Sequence, residues 1–335
     1  DGMMLLRAII AGYEVSNRVG KAVQPAHYDY WHTTGTIGTI GAAAGCAAAM
    51  GLTAEQAKHA LANAVTMAAA LQQAFATDSM GKPIHAGHAA EAGAMAAMVA
   101  KHGVIGADGM FEGPRGFGSA MSRDVDWDSA VADLESDYTI TRMTQKNHTC
   151  CGHTFAAIDS MIALASEYQL SAENVASIHI GTYAKAVEIC GNRNPQTVYE
   201  AKFSLPYAAA AGLVLGRARF AAFTEEKLND PDIRSVMSRI EFATDTDAET
   251  KFPNFRSAIV TVETMDGARY EHHSPTRKGD PDNPLSDTEL EDKYHELVDP
   301  VIGPDAASKL LDECWRLEQV HDVAQLSYAR AAAVA

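Results

Sequence analysis

With 335 residues, 47% of them apolar and 21% charged, the chain can bury one large core or two ordinary ones, and wholesale disorder is excluded. A formal charge of −16 argues against nucleic acid or an anionic membrane surface as the main partner, yet allows a small basic pocket for an anionic metabolite. Five cysteines without a CxxC pair fit neither a zinc framework nor a secreted disulfide scaffold, so reduced thiols in the cytoplasm are expected.

In chain order, residues 1 to about 122 read as helical. The chain opens inside an amphipathic pattern with Leu5, Ile9 and Ile10 on one side, so the natural fold is expected to extend upstream. Helices are predicted over Leu5–Val19, Thr36–Met50, Ala54–Ala76 and Pro83–His102. Thr53 and Gln56 form a capping box for the third, while Pro83 in the first turn and Gly103 past the end frame the fourth. The apolar stretch Gly35–Leu52 is built from Gly, Ala and Thr, which suits close helix packing rather than a membrane span, and no signal peptide is visible.

From about residue 123 the texture changes. Alternation predicts strands at Tyr138–Met143, Val175–Tyr183 and Ala258–Glu263, the last turning at Asp266-Gly267 into Arg269–His272. Helices are expected at about 154–168, 200–215 and 224–237. The Pro/Gly/Asp-rich stretch Ser274–Pro284 reads as a linker or functional loop, and Ser286–Leu297 and Asp305–Leu326 return to helix. The expected fold is mainly α: a discontinuous helical domain from residues 1–122 and 284–335, with an α+β lid inserted over 123–283.

Four clusters carry candidate chemistry. His32, in Tyr28–Thr36, precedes a Gly/Thr-rich helix start whose free N–H groups favour an anion; a helix cap with a half-buried His is the bland alternative. Lys82 directly precedes Pro83, where an ammonium opposes the helix dipole unless an anion arrives; a solvated loop lysine competes. His85 and His88 are three apart, a weak metal pair without a third ligand, so no metal is expected. Lys146, His148, Cys150, Cys151 and His153 crowd one helix start and offer an acid/base and a low-pKa thiol, against a structural turn with buried Cys. Lys202, Ser204 and Tyr207 form the fourth cluster, which a helix entrance explains largely by itself. No dinucleotide fingerprint, Walker loop, G-x-S-x-G or H-E-x-x-H is present, and no cofactor is expected.

These pieces, taken in order, resemble the MmgE/PrpD family, which includes 2-methylcitrate dehydratases, cis-aconitate decarboxylases and an iminodisuccinate epimerase. The matching stretches are Ala11–Val15 with Arg18, Trp31–Thr36 with Gly38, and Gly81–Gly87 with Ala89-Ala90. Phe111–Gly113 with Gly116-Phe117, then Lys146, Cys151 and Ile158-Asp159 follow. Glu200-Ala201-Lys202 with Ser204 and Tyr207, and Asn283–Ser286, complete a series that spans essentially the whole chain. The resemblance implies a helical domain plus an α+β lid, a homodimer, and no metal or nucleotide. It carries over His32, Lys82, Lys146 and Tyr207 as active-site residues. His153 joins them as a candidate acid or base, and Thr34, His85, Cys151, Lys202 and Ser204 are expected to bind substrate. Two departures stand out: the family's Asp-bearing segment upstream of Gly-Tyr-Glu-Val has no counterpart here, and the family often has a His where Phe155 stands, two residues after His153. The implied activity is proton removal next to a carboxylate of a small di- or tricarboxylic acid. Dehydration of a 2-methylcitrate-like substrate is expected first. Epimerisation and decarboxylation are alternatives from the same intermediate, and a non-catalytic carboxylate-binding protein is the alternative outside enzymes.

Overall fold

A computed structural model describes residues 1–75, 79–134 and 136–327. Among these the protein is mostly helical with one small four-stranded sheet. The chain divides into two compact units, residues 1–142 with 305–335, and residues 143–304.

The first unit opens with α1 (Gly2–Val23), α2 (Ile37–Ala49), α3 (Ala54–Met67) and α4 (Gly81–Lys101), followed by the short α5 (Phe117–Met121) and α6 (Trp127–Val131). Asp1 caps α1 through Met4 N–H, and the expected Thr53/Gln56 capping box starts α3. Helix α2 packs between α1 and α4, and its run of Gly and Ala is what lets three axes come together. A methyl on Gly93 of α4 would stand 2.5 Å from Ala42 Cβ and 2.7 Å from the Thr39 carbonyl oxygen, so the two backbones touch where the side chain is missing. Gly93→Ala is therefore expected to lower stability by about 1–3 kcal/mol through forced separation of α2 and α4. Urea unfolding checks this; a variant as stable as the parent would refute the backbone contact.

The third predicted helix ends early. Ala68 turns extended, and the chain then forms a short bridge between Leu71 and Trp31 before a 3-10 turn at Gln72–Phe75. The Ala70 carbonyl accepts the His32 N–H at 3.1 Å, so these backbone groups serve a tertiary pairing instead of the helix ladder. Ala76, the last residue of the expected helix, lies outside the described residues. The strand expected at Tyr138–Met143 is instead a 3-10 turn, Thr139–Arg142. Its start is claimed by Glu14, whose carboxylate accepts the Thr139 hydroxyl at 2.9 Å and the Ile140 N–H at 3.0 Å.

The second unit runs α7 (Phe155–Tyr168), β1 (Val175–Thr182), α8 (Ala184–Cys190), α9 (Val198–Ala201), α10 (Leu205–Leu215), α11 (Glu225–Leu228) and α12 (Pro231–Ser238). Then come β2 (Ile240–Thr244), α13 (Thr246–Lys251), β3 (Ala258–Thr264), β4 (Arg269–Ser274) and α14 (Asp287–Ile302). The sheet order is β2-β1-β3-β4, with β1 parallel to β2 and the other pairs antiparallel. The Asp266-Gly267 turn joins β3 to β4 as expected, with Gly267 at φ 86°. Phe155, Ile158, Met161 and Leu164 of α7 and the alanine run of α10 bury against Ile178, Ile180, Val260 and Val262 of the sheet.

Two predicted helices are each split by a cap. Ser204 ends the first segment and caps α10, and Asp230 caps α12 just ahead of Pro231. Strand β2 escapes the sequence pattern because it is five residues long and starts directly behind a helix. Helix α15 (Pro304–Trp315), nearly all of it in the first unit, is shorter than the predicted 305–326; the following turn gives its Val320 carbonyl to the Gly2 N–H at 2.7 Å. No helix among the described residues is long and apolar enough to cross a membrane, and all five cysteines are free.

Candidate active site

Each unit gathers its own group of candidate residues. In the first, the turn before α2 holds His32, which is 6% exposed. Its Nδ1 lies 3.0 Å from His85 Nδ1, and its ring meets the Phe75 edge at 4.7 Å. Two ring nitrogens at that distance share one proton, so one imidazole donates and the other accepts. Burial, then His85, then Lys82 push His32 down to about 4, which leaves it uncharged near neutral pH. Lys82, exposed in the first turn of α4, places Nζ 5.5 Å from the Phe75 ring centre. His32, His85 and Lys82 thus converge around one aromatic ring. Thr34 is exposed. His88 turns away and sits 3.3 Å from the Met67 carbonyl, so the i, i+3 histidines do not face a common point. No grouping of His, Cys, Asp and Glu among the described residues is arranged to hold a metal ion.

In the second unit the dense segment before α7 sorts into distinct duties. His148 is buried, its Nε2 2.9 Å from Asp159, whose other oxygen accepts the Lys278 N–H at 2.8 Å. A cavity of about 600 Å³ opens beside this pair and is also lined by Asn147, Arg219 and His272. Lys146 is exposed and its carbonyl accepts Lys293 Nζ at 2.7 Å. His153 keeps a ring nitrogen without a partner among the described residues, as His148 does at its buried Nδ1. The His153 Nδ1 lies 2.7 Å from the Tyr183 hydroxyl, and Nε2 bonds to no described residue. Burial first, then Arg256, Arg277, Lys185 and Lys146, push His153 down to about 4. Burial pushes the Tyr183 phenol up, so it stays protonated and fixes the imidazole as a neutral hydrogen-bond partner.

Cys151 differs from its neighbour. The hydrogen bond from Cys190, with help from His153 N–H, Lys146 and Arg256, lowers its thiol, whereas burial pushes Cys150 up to about 12. The thiolate character expected of this segment therefore belongs to Cys151. In the fourth cluster the Lys202 carbonyl and the two hydroxyls hydrogen-bond within the fold. The Lys202 carbonyl accepts the Cys151 N–H at 2.8 Å. Ser204 donates to the Asn192 carbonyl at 2.6 Å and caps α10, and the fully buried Tyr207 donates to the Ala222 carbonyl at 2.7 Å. Sequence reasoning missed Tyr183, Arg256 and Arg277. Arg277 lies in the stretch read as a linker or functional loop, while a lone Arg before a strand and a Tyr ending one give no pattern to find.

Two family matches follow the order of these two units, the second running on past residue 304 into α15. Residues 1–130 match the MmgE/PrpD N-terminal domain and residues 148–317 match the MmgE/PrpD C-terminal domain. The chain belongs to the MmgE/PrpD family. Within it, the chain is 27% identical to the human protein named cis-aconitate decarboxylase, over 98% of this chain and 69% of that protein. It is 23% identical to a cis-aconitate decarboxylase-like protein of Aspergillus oryzae, over 97% of this chain and 70% of that one. A cis-aconitate decarboxylase of Aspergillus terreus is 22% identical with the same coverage.

Proposed function

We infer that this chain is a cofactor-free lyase of small polycarboxylates, with decarboxylation of an unsaturated tricarboxylate of the cis-aconitate type as its first reaction. The observation that carries this reading is His153: a neutral imidazole with a free Nε2, held by Tyr183 among four cations. The relatives' names favour decarboxylation over the dehydration that the sequence put first.

In such a reaction the C–C bond of a –CH2–COO⁻ arm breaks and its electron pair becomes a new terminal alkene. The original alkene pair moves to the carbon next to another carboxylate and takes up a proton there, while CO2 leaves. The step consumes one proton and develops charge beside a carboxylate. It therefore needs cations at the carboxylates and an acid at the receiving carbon. In this reading Lys146, Arg256 and Arg277 take the first duty, and His153, protonated once a substrate carboxylate offsets those cations, takes the second. In the other unit His32, sharing a proton with His85 beside Lys82, is a second proton-transfer centre. A dehydration would use the same cations, with the imidazole taking the α-proton and hydroxide leaving. A cytoplasmic homodimer is part of this proposal.

Incubation with cis-aconitate, 2-methylcitrate and citrate in deuterated water, followed by NMR, separates the readings. Decarboxylation gives CO2 and one deuterium in the dicarboxylate product, and dehydration gives an alkene from the hydroxy acids. Binding of all three acids without turnover or deuterium exchange would leave a carboxylate-binding protein and sink the lyase.

A further inference from the structure

Gly152 lies in the turn leading into α7, between two guanidinium groups. A methyl on its Cα would stand 3.1 Å from Arg277 Nη1 and 3.9 Å from Arg256 Nη1, so both cations converge on one point that the missing side chain keeps open. Arg277 is fixed by Asp280, to which Nε and Nη2 donate over 3.0 and 2.6 Å, and by Thr144 at 3.1 Å; its Nη1 is left over. Arg256, half-buried, makes no hydrogen bond or ion pair with any described residue. A half-buried guanidinium without a counter-charge is a cost that an incoming anion relieves.

We propose that Arg256 and Arg277 seat one carboxylate of a polycarboxylate above Gly152, and that filling this seat loads a proton onto the neighbouring His153. This deepens the polycarboxylate reading and rests on it. The groups that bear on His153 come from every side: Arg256 ahead of β3, Arg277 with Asp280 behind β4, Lys185 with Glu188 on α8, Tyr183 at the end of β1, and Lys146 and Cys151 on its own segment. Arg256 and Arg277 are the two leading charges holding the ring neutral. A carboxylate between them cancels much of that repulsion, so the imidazole takes a proton from solvent and becomes imidazolium. The free protein then carries a base at this position and the liganded protein an acid, and linkage requires binding to tighten as pH falls.

The test is calorimetric titration at pH 6 with propane-1,2,3-tricarboxylate, a saturated probe without an alkene to rearrange, in two buffers of different ionisation enthalpy. The parent protein should take up about half to one proton more per ligand than His153→Gln, whose curve removes the probe's own titration. Arg256→Ala and the bulkier Arg256→Gln should bind about 10–100-fold more weakly and lose the extra proton. Gly152→Ala, whose methyl fills the seat and presses on Arg277 Nη1 while leaving both cations in the chain, should weaken binding in the same sense. Parent-like affinity in both Arg256 variants, or no proton difference from His153→Gln, overturns the proposal. Turnover of cis-aconitate with Arg256→Gln unimpaired defeats the seat alone. Arg256-dependent binding with no turnover of any polycarboxylate supports the seat and defeats the lyase.

Discussion

His153→Gln is expected to lower turnover of cis-aconitate by about 10²–10⁴-fold while the protein stays folded, because it removes the proton-transfer group and keeps most of its volume. The ring's one fixed contact, to Tyr183 at 2.7 Å, is replaceable by an amide, so the loss should fall on kcat more than on KM. Tyr183→Phe, which frees the ring but keeps it, should cost less. A pH signature accompanies the substitution. His153 is held at about 4 in the folded protein against an ordinary 6.5, so between these values the unfolded chain binds the proton and the folded one does not. Stability of the second unit should therefore rise with pH through that window, and His153→Gln should flatten the rise. Steady-state kinetics across pH 5–8, with urea unfolding at pH 5 and 7, makes the check. Turnover within threefold of the parent would remove His153 from the chemistry and leave His32 as the remaining proton-transfer centre.

What could be read from the sequence divides along a physical line. Features fixed by residues close in the chain were legible: the Thr53/Gln56 capping box, the start of α14 at Ser286, and the Asp266-Gly267 hairpin. The clustering of Lys82 and His85 near His32 was legible only through the family resemblance, since Phe75, the ring that gathers them, lies in a stretch whose composition reads as helix. What local patterns do not carry is set by distant partners. Glu14 reaches across the sequence to convert an apparent strand into a 3-10 turn. Ser204 and Tyr207 look like a hydroxyl pair in sequence, yet caps and carbonyls absorb both. Arg256 is invisible because its significance lies in what it lacks, a counter-charge, and sequence spacing carries no record of that.

Arg18→Met should be the most damaging single change in the first unit, costing about 3–5 kcal/mol. Arg18 is 5% exposed on α1. Its Nη1 reaches Asp133 at 2.7 Å and the Ala130 carbonyl at 2.9 Å, its Nη2 the Asp137 carbonyl at 2.6 Å, and its Nε Glu14 at 3.2 Å. One guanidinium therefore ties α1 to the end of α6 and the turn after it, and Glu14 completes the tie by holding the 139–140 backbone. Methionine keeps the volume and leaves Glu14, also largely buried, without its cation. Asp133 is a third exposed, so solvent screens its ion pair and Asp133→Asn should cost much less than Arg18→Met. The charges predict an acid dependence as well. Burial raises the Glu14 carboxyl, but Ile140 N–H, Thr139 and Arg18 outweigh it, and Arg18 lowers Asp133. Both folded values lie below the unfolded ones, so this stabilisation is complete above pH 4.5 and is lost as pH falls through the folded values. Urea unfolding of the parent and Arg18→Met at pH 7 and pH 3.5 should show a wide gap at the first and a narrower one at the second. A gap under 1 kcal/mol at pH 7 would show that the remaining contacts of α1 hold the 130–140 segment without the ion pairs.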